Sequence, residues 1–273
     1  MNLFLVIAGG ILGLIVGSFL NVVTLRMNTG KTIGGRSHCM QCNRKLDWWH
    51  MVPFFSYLFL RGRCDFCKSS ISVQYPIVEL ATGIIFALVI SRFGFHVSTI
   101  WYWIISSILV VIAVYDLRHF IIPWVPNLLL AIMGFITLFI PSLHFVTGNS
   151  WFQIPTMWNL FSGVIIALPF FALWLVSRGR WLGLGDVKYM VSSGWLLGLL
   201  GGVSGVLYAF WIGAAWVIVL VLVQTIRKII APGLSAEIPA RVPFGPFLVV
   251  GTLLVILSGV DIQALIQSIG LVY

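Results

Sequence analysis

Residues 3–25, LFLVIAGGILGLIVGSFLNVVTL, contain no charged side chain. An α-helix of this length crosses a hydrocarbon layer of about 30 Å and satisfies its own backbone hydrogen bonds in lipid. The whole chain is 60% hydrophobic and only 8% charged, which excludes a soluble domain. The apolar runs lack the alternation of barrel strands. We predict an all-α polytopic membrane protein with about eight transmembrane helices, near residues 3–25, 76–93, 97–116, 124–140, 156–177, 186–201, 203–225 and 243–260.

The basic residues predict the orientation of these spans. All but one of the 16 Lys and Arg residues fall in alternate connections, and Arg92 alone lies on the other side. The positive-inside rule therefore places the basic loops in the cytosol and both termini outside it. The 141–155 loop and the 261–273 tail contain no Lys or Arg, as this orientation requires. The net charge of +9 is explained by topology, so we expect the bilayer, and not nucleic acid, as a partner.

We expect three domains: a first transmembrane helix (1–27), a cytosolic loop domain (28–75) and a seven-helix membrane core (76–273). The first span is too long for the apolar region of a cleavable leader, and no A-x-A site follows it. Its glycines recur every four residues at Gly9, Gly13 and Gly17, which predicts close packing against a neighbouring helix.

All four cysteines lie in the loop domain, as Cys39-x-x-Cys42 and Cys64-x-x-Cys67. Two such pairs at this separation are typical of a zinc-ribbon site with four thiolate ligands. The alternative is disulfides or free thiols, but disulfides rarely persist in the cytosol. His38 could replace one cysteine, although four cysteines already complete a tetrahedral shell. A complete shell leaves no position for a catalytic water, so we predict structural zinc.

Two of the seven acidic residues stand out by position. Asp116 ends the third predicted span and Asp186 begins the sixth, so topology brings both to the cytosolic interface at similar depth. Ionisable groups inside spans are costly and often functional. Two neighbouring carboxylates can share a proton, so that one activates water while the other protonates a carbonyl. In one alternative, each aspartate forms its own ion pair with Arg118 or Lys188. In another, Asp186 caps a helix.

Three other residues carry weaker hypotheses. Glu79 is either an ordinary acid near a helix N-terminus or a functional group at the same cytosolic mouth. Asn21 could contact a substrate or cofactor. Ser204 lies in a GxSG motif of the kind found in rhomboid proteases, but no histidine follows it to serve as a base, so we expect it to pack between helices.

The combined motifs resemble the type IV prepilin peptidases over nearly the whole chain. The resemblance is carried by residues 17–22 (GSFLNV), both CxxC pairs, residues 61–64 (RGRC), residues 75–80 (YPIVEL), Asp116 with residues 121–123 (IIP), and residues 183–188 (GLGDVK). The segment after Pro123 departs from the usual Ile-Pro-Asp or Ile-Pro-Asn pattern. Presenilins and signal peptide peptidases share the acid motifs, but they carry a Pro-Ala-Leu motif on a later helix, where this chain has Pro-Ala-Arg at 239–241.

The resemblance implies a GxGD-type aspartic membrane protease with Asp116 and Asp186 as catalytic acids. It implies prepilin or pseudopilin substrates, cut after a leader glycine at the cytosolic face of the bacterial inner membrane. It also implies methylation of the new N-terminus with S-adenosylmethionine, because the four-cysteine loop accompanies the bifunctional members. The position of the methyl-donor site cannot be predicted from the sequence.

Two other functional classes remain open from the residues alone. The first is a small transporter whose membrane acids carry protons or cations. The second is an assembly scaffold that docks through its zinc-binding loop. Acids at one face and not at the midplane disfavour the transporter.

Overall fold

The computed structural model describes residues 3–140, except 31, 33 and 36, together with residues 155–230 and 242–259; side chains are described up to residue 226 in the second stretch. The predicted connection at 141–154 and the tail after residue 259 lie outside the described residues, as do Arg241 and the side chains of Arg227 and Lys228. The elements in chain order are α1 (Leu3–Arg26), a short 3-10 helix (Trp48–Met51), α2 (Phe55–Phe59), α3 (Gln74–Phe93), α4 (Val97–His119), α5 (Trp124–Phe139), α6 (Met157–Ser177), α7 (Leu184–Ile230) and α8 (Gly245–Ser258).

The all-helical membrane class is confirmed. In the described part of the chain, five helices are long and apolar enough to cross a membrane: α1, α3, α4, α6 and α7. The apolar helices α5 and α8 are shorter, with 16 and 14 residues. The sixth and seventh predicted spans both lie in the 47-residue α7, which is interrupted at Gly198 by a left-handed φ of 72°. The number of eight spans therefore stays a prediction.

The chain divides into two compact units, and the first covers residues 1–114. In this unit α1 packs antiparallel against α3. A Cβ added to Gly13 would lie 2.7 Å from Phe86 Cβ, and one added to Gly17 would lie 2.8 Å from Glu79 Cα. The two backbones are so close that only glycine fits, which explains the predicted stripe. One buried apolar cluster of the unit consists of Leu20, Val78, Val110, Val111 and Val114.

The second unit covers residues 115–273, and α7 is its central helix. Helices α5, α6 and α8 each pack against α7. Polar contacts fix two of these interfaces: Ser192 Oγ donates to Asn127 Oδ1 of α5 at 3.1 Å, and Tyr189 Oη lies 2.8 Å from Thr252 Oγ1 of α8. Each hydroxyl is buried where water cannot replace its partner, so these contacts help fix how the helices pack.

Candidate functional site: a buried carboxylate pair and a four-thiolate cluster

Asp116 lies in the last turn of α4, where its side chain is almost fully buried. Its Oδ2 accepts a hydrogen bond from the backbone N–H of Gly245 at 3.0 Å. Gly245 is the first residue of α8, so the carboxylate occupies the N-terminus of that helix, where free N–H groups and the helix dipole favour an anion. This contact joins residues that are far apart in the sequence.

Gly245 is required at this position for steric reasons. A Cβ on residue 245 would lie 2.5 Å from Asp116 Oδ2 and 2.9 Å from its Cγ. Any side chain would therefore force the carboxylate or the start of α8 to shift. The sequence interpretation missed Gly245, although the pattern Gly245-Pro246 at the start of an apolar run is a signal for a helix N-terminus.

Asp186 lies in the first turn of α7 and is half-buried. Its Oδ2 accepts a hydrogen bond from the Gly183 N–H at 3.2 Å, while its own N–H donates to the Gly183 carbonyl. The side-chain bond is one half of a capping box, since Gly183 has no side chain to form the other half, so the alternative that Asp186 caps a helix describes part of what it does. Gly185 packs against Ile122, and a Cβ added there would lie 3.2 Å from Ile122 Cβ.

The two carboxylates belong to neighbouring segments, because Gly185, next to Asp186, packs against Ile122, which follows Asp116 by six residues. Both belong to the second unit, and each is held by a main-chain amide from a different place: the start of α8 for Asp116 and the turn before α7 for Asp186. Like charges in a low-dielectric environment disfavour double ionisation, so such a pair tends to hold a shared proton. An arrangement of this kind can supply a base and an acid to one reaction.

Asn21 and Glu79 lie in the first unit, and both are buried. Asn21 Nδ2 donates to the Tyr75 carbonyl at 3.2 Å, so this amide links α1 to α3. Glu79 Oε2 accepts the backbone N–H of Phe54 at 2.7 Å. Glu79 is therefore more than an acid near a helix start, since it binds the main chain of the preceding loop.

Ser204 Oγ donates to the Leu200 carbonyl within the same helix at 2.7 Å. Next to it, the backbones of Gly205 and Gly251 are in close contact between α7 and α8. These contacts support the interpretation of the GxSG motif as a packing motif.

The four cysteines form one cluster. Their Sγ atoms all lie within 4.8 Å of one another, and His38 is not among the grouped ligand atoms of the described residues. Cys39 Sγ and Cys67 Sγ are 3.8 Å apart. A tetrahedral zinc ion with Zn–S bonds of about 2.3 Å requires sulfur atoms about 3.8 Å apart. The donor set and its spacing therefore fit a four-thiolate metal site.

The two CxxC segments have the same local structure. In the first, the Cys39 N–H donates to the Arg44 carbonyl, and Asn43 has a φ of 55°; in the second, the Cys64 N–H donates to the Ser69 carbonyl, and Lys68 has a φ of 58°. We call residues 38–45 and 63–70 the two knuckles. Each is a tight turn closed by one antiparallel bridge, His38 with Lys45 and Arg63 with Ser70.

Two of the knuckle thiols, Cys39 and Cys67, have surroundings that favour the thiolate form, which binds a cation. The backbone amides of Cys42 and Gln41 lower the pKa of Cys39 to about 6, and Ser69 lowers the pKa of Cys67. The Arg44 amide also favours the Cys42 thiolate, but removal from water and the adjacent sulfurs of Cys39 and Cys67 outweigh it and raise the pKa of Cys42 to about 11. A divalent metal ion would remove this repulsion, because it binds the thiolate form.

Comparison with known proteins assigns the chain to a family. Residues 11–93 match the family model described as the bacterial peptidase A24 N-terminal domain, and residues 103–218 match that of the type IV leader peptidase family. The chain belongs to the type IV leader peptidase family. Asp116 and Asp186 lie within the second matched region of this leader peptidase, and all four cysteines lie within the first. The membership confirms the resemblance and the peptidase class.

Several relatives carry the name prepilin leader peptidase/N-methyltransferase. The protein from Myxococcus xanthus is 37% identical over 186 residues, which cover 67% of this leader peptidase and 52% of that relative, so the match spans about half of the relative's length. The proteins from Xanthomonas campestris and Pseudomonas aeruginosa are each 29% identical, over 92% and 91% of this chain and 90% and 89% of theirs. No solved structure matches the chain significantly. These matches give no support to the transporter hypothesis.

Proposed function

We propose that this leader peptidase removes the short basic leader of prepilins or pseudopilins after a glycine, and that it then methylates the new N-terminus. The relatives named prepilin leader peptidase/N-methyltransferase support both activities. The observation that carries the peptidase proposal is the pair Asp116 and Asp186, each held by a main-chain amide on neighbouring segments, inside the region matched to leader peptidases.

In the proposed mechanism, the pair shares one proton before the reaction. The ionised carboxylate takes a proton from a water molecule as the water oxygen attacks the carbonyl carbon of the leader glycine. The protonated carboxylate gives its proton to the carbonyl oxygen, which forms a neutral tetrahedral intermediate. When the C–N bond breaks, the pair returns one proton to the leaving amine and recovers the other from the intermediate's hydroxyl, so the original protonation state is restored.

The proposed setting is the bacterial inner membrane, with the basic loops in the cytosol and both termini outside. The apolar helices and the family support a multi-pass membrane protein. The charge asymmetry supports the orientation. The hydrophobic segment of a prepilin would then enter among the helices from the bilayer, with its basic leader on the cytosolic side, where Asp116 and Asp186 are expected.

We also propose that the domain of residues 28–75 binds structural zinc through Cys39, Cys42, Cys64 and Cys67. The four-thiolate geometry supports this metal, and a complete shell gives it a folding role and no catalytic one. The proposed methyl donor is S-adenosylmethionine, as the names of the relatives suggest. The described residues contain no glycine-rich nucleotide loop, so no residues are assigned to the methyl donor.

Cleavage of a prepilin by membranes that contain Asp116→Asn or Asp186→Asn protein tests the peptidase mechanism. Each variant keeps the side-chain shape but removes the ionisable group, and a positioned acid or base contributes about 10²–10⁴-fold to a rate. We expect each variant to lose at least about 10²-fold in cleavage rate while it inserts normally.

Asp47→Asn is the matched control, because Asp47 caps the 3-10 helix in the loop and asparagine is an equally good cap. Near wild-type cleavage by either Asp116→Asn or Asp186→Asn would exclude the two-acid mechanism.

A further inference from the structure

The loop between α1 and α3 contains an apolar segment. A location of this loop in the cytosol does not explain why the segment is apolar. Residues 48–60, WWHMVPFFSYLFL, contain no Asp, Glu, Lys or Arg. Large side chains are exposed along it, among them Trp48 (78%), Leu58 (62%) and Phe59 (80%). An exposed apolar surface of this size on a soluble domain indicates a binding surface.

The contacts of the segment indicate its depth. Phe54 donates its N–H to Glu79 Oε2 at 2.7 Å, and Glu79 packs directly against Gly17 of α1. At about 1.5 Å per residue, Gly17 lies about 13 Å before the end of α1, and Glu79 lies about 8 Å inside the start of α3. Both helices are membrane-spanning candidates. The segment therefore contacts α3, next to α1, at a level inside the apolar length of both helices.

The segment also faces α1 across a groove. A groove of about 510 Å³ is lined on one side by α1 and on the other by the segment, including Ile11, Leu14, Ile15, Trp48, Met51 and Phe55. Ile11 lies about 22 Å before the end of α1 at the same rise per residue. The groove between α1 and the segment thus extends along α1 beyond the level of Glu79.

The backbone of the segment is suited to a low-dielectric environment. The 3-10 helix and α2 satisfy most of its amides internally, for example Ser56 N–H to the Val52 carbonyl and Leu58 N–H to the Phe54 carbonyl. Phe54 connects the two helices with a left-handed φ of 62°, so its N–H points outside both. Glu79 accepts that N–H. Irregular backbone at membrane depth is tolerated only where it is buried in protein or lines a water-filled cavity, and the buried Glu79 provides a protein partner for this amide.

We propose that residues 48–60 form a re-entrant element that enters the acyl-chain region of the bilayer beside α1 and α3, and that Glu79 holds its turn. An apolar run of 10–14 residues is too short to span and is typical of such elements. Charged residues bracket it, with Arg44, Lys45 and Asp47 before it and Arg61 and Arg63 after it, which places both ends at the polar interface. This proposal does not depend on the peptidase activity.

Photolabelling from within the bilayer tests the proposal. The full-length protein is reconstituted in vesicles of phosphatidylethanolamine and phosphatidylglycerol that contain a phospholipid with a diazirine in the middle of one acyl chain. After illumination, adducts are mapped by mass spectrometry. We expect adducts on residues 48–60 at a yield comparable with α3, and none on the two knuckles. Adducts on α1 and α3 without any on residues 48–60 would overturn the proposal, as would labelling of residues 48–60 by a water-soluble diazirine.

A pair of lysine substitutions gives a second test. Phe59→Lys places a charge in the re-entrant element, whereas Met40→Lys places one on a knuckle, at a side chain that is also exposed (67%). We expect Phe59→Lys to lower the thermal unfolding temperature in vesicles more than in detergent, and Met40→Lys to change neither. Equal behaviour of the two variants in vesicles would show that residue 59 is outside the lipid and that its apolar surface serves a protein partner.

Discussion

The thiolate cluster and the carboxylate pair are held together in opposite ways. Each knuckle is built from neighbouring residues, with hydrogen bonds such as Cys39 N–H to the Arg44 carbonyl. Asp116, in contrast, is held by Gly245, which is 129 residues away in the sequence. The knuckles are largely exposed, whereas Asp116 is buried between helix ends.

This difference predicts where each region is vulnerable. A small exposed loop buries little apolar surface, so a bound metal must supply much of its folding free energy. The carboxylate pair depends on the exact approach of helix ends, where a single added carbon atom is enough to move a functional group. Metal removal should therefore affect the loop, and small steric changes should affect the pair.

The largest effect is expected from Cys64→Ser, which removes the buried ligand of the cluster. Structural zinc sites contribute about 10–16 kcal/mol of apparent binding free energy, and loss of one of four thiolates abolishes tight binding. We expect metal content, measured by atomic emission, to fall from one zinc per chain to nearly none. Trypsin should then cut rapidly at Arg44, Arg63 and Lys68, while circular dichroism of the helices changes little.

His38→Ala is the matched control for the metal site, because His38 precedes Cys39 but is not part of the cluster. It should keep the metal and the protease resistance. Full metal retention by Cys64→Ser would contradict the four-thiolate site, and metal loss in His38→Ala would show that histidine replaces a cysteine.

A smaller effect, about 10²-fold in prepilin cleavage rate, is expected from Gly245→Ala, because misplacement of a catalytic group by about 1 Å can cost that much. The added Cβ would lie 2.5 Å from Asp116 Oδ2, so the carboxylate or the start of α8 must move. The rate is measured with prepilin in membranes. Metal content should not change, which distinguishes this variant from Cys64→Ser.

Gly213→Ala is the control for Gly245→Ala. Its Cβ would meet Phe247 at 3.5 Å, an ordinary van der Waals distance, so cleavage should be retained. Unchanged cleavage by Gly245→Ala would mean that the contact between Asp116 and residue 245 is not needed for the reaction.

The same difference explains what the sequence could predict. The ligand set was readable because both CxxC pairs are local patterns with a known bite, and the structure brings all four together. Asp116 and Asp186 could be predicted as site residues because charged residues are rare in apolar runs. The predicted order of the spans places both at the cytosolic interface. Gly245-Pro246 signals the start of a helix, but the contact of Gly245 with Asp116 could not be predicted, since it depends on where the end of another helix lies. The interruption of α7 at Gly198 was equally hidden, because glycine is common in these spans.

The segment 48–60 was assigned wholly to a soluble loop because a run of this length does not reach the threshold for a span. Its hydrogen bond to Glu79 of α3 and the groove that it shares with α1 become visible only in three dimensions. Glu79 was likewise ambiguous, since an acid near a helix start has an ordinary explanation in the helix dipole.

The smallest effect is expected where α7 meets α8, at the buried contact between Tyr189 and Thr252. Polar contacts between membrane helices average about 0.6 kcal/mol, because the unfolded state in lipid also finds partners. A double-mutant cycle of Tyr189→Phe and Thr252→Val, followed by denaturant unfolding in mixed micelles, should therefore give a coupling near this value. Tyr189→Phe combined with Thr225→Val, a substitution at an exposed site on α7, should be additive. A coupling several times larger would mean that this contact fixes how α8 lies against α7, and the cleavage rate should then fall in Tyr189→Phe as it does in Gly245→Ala.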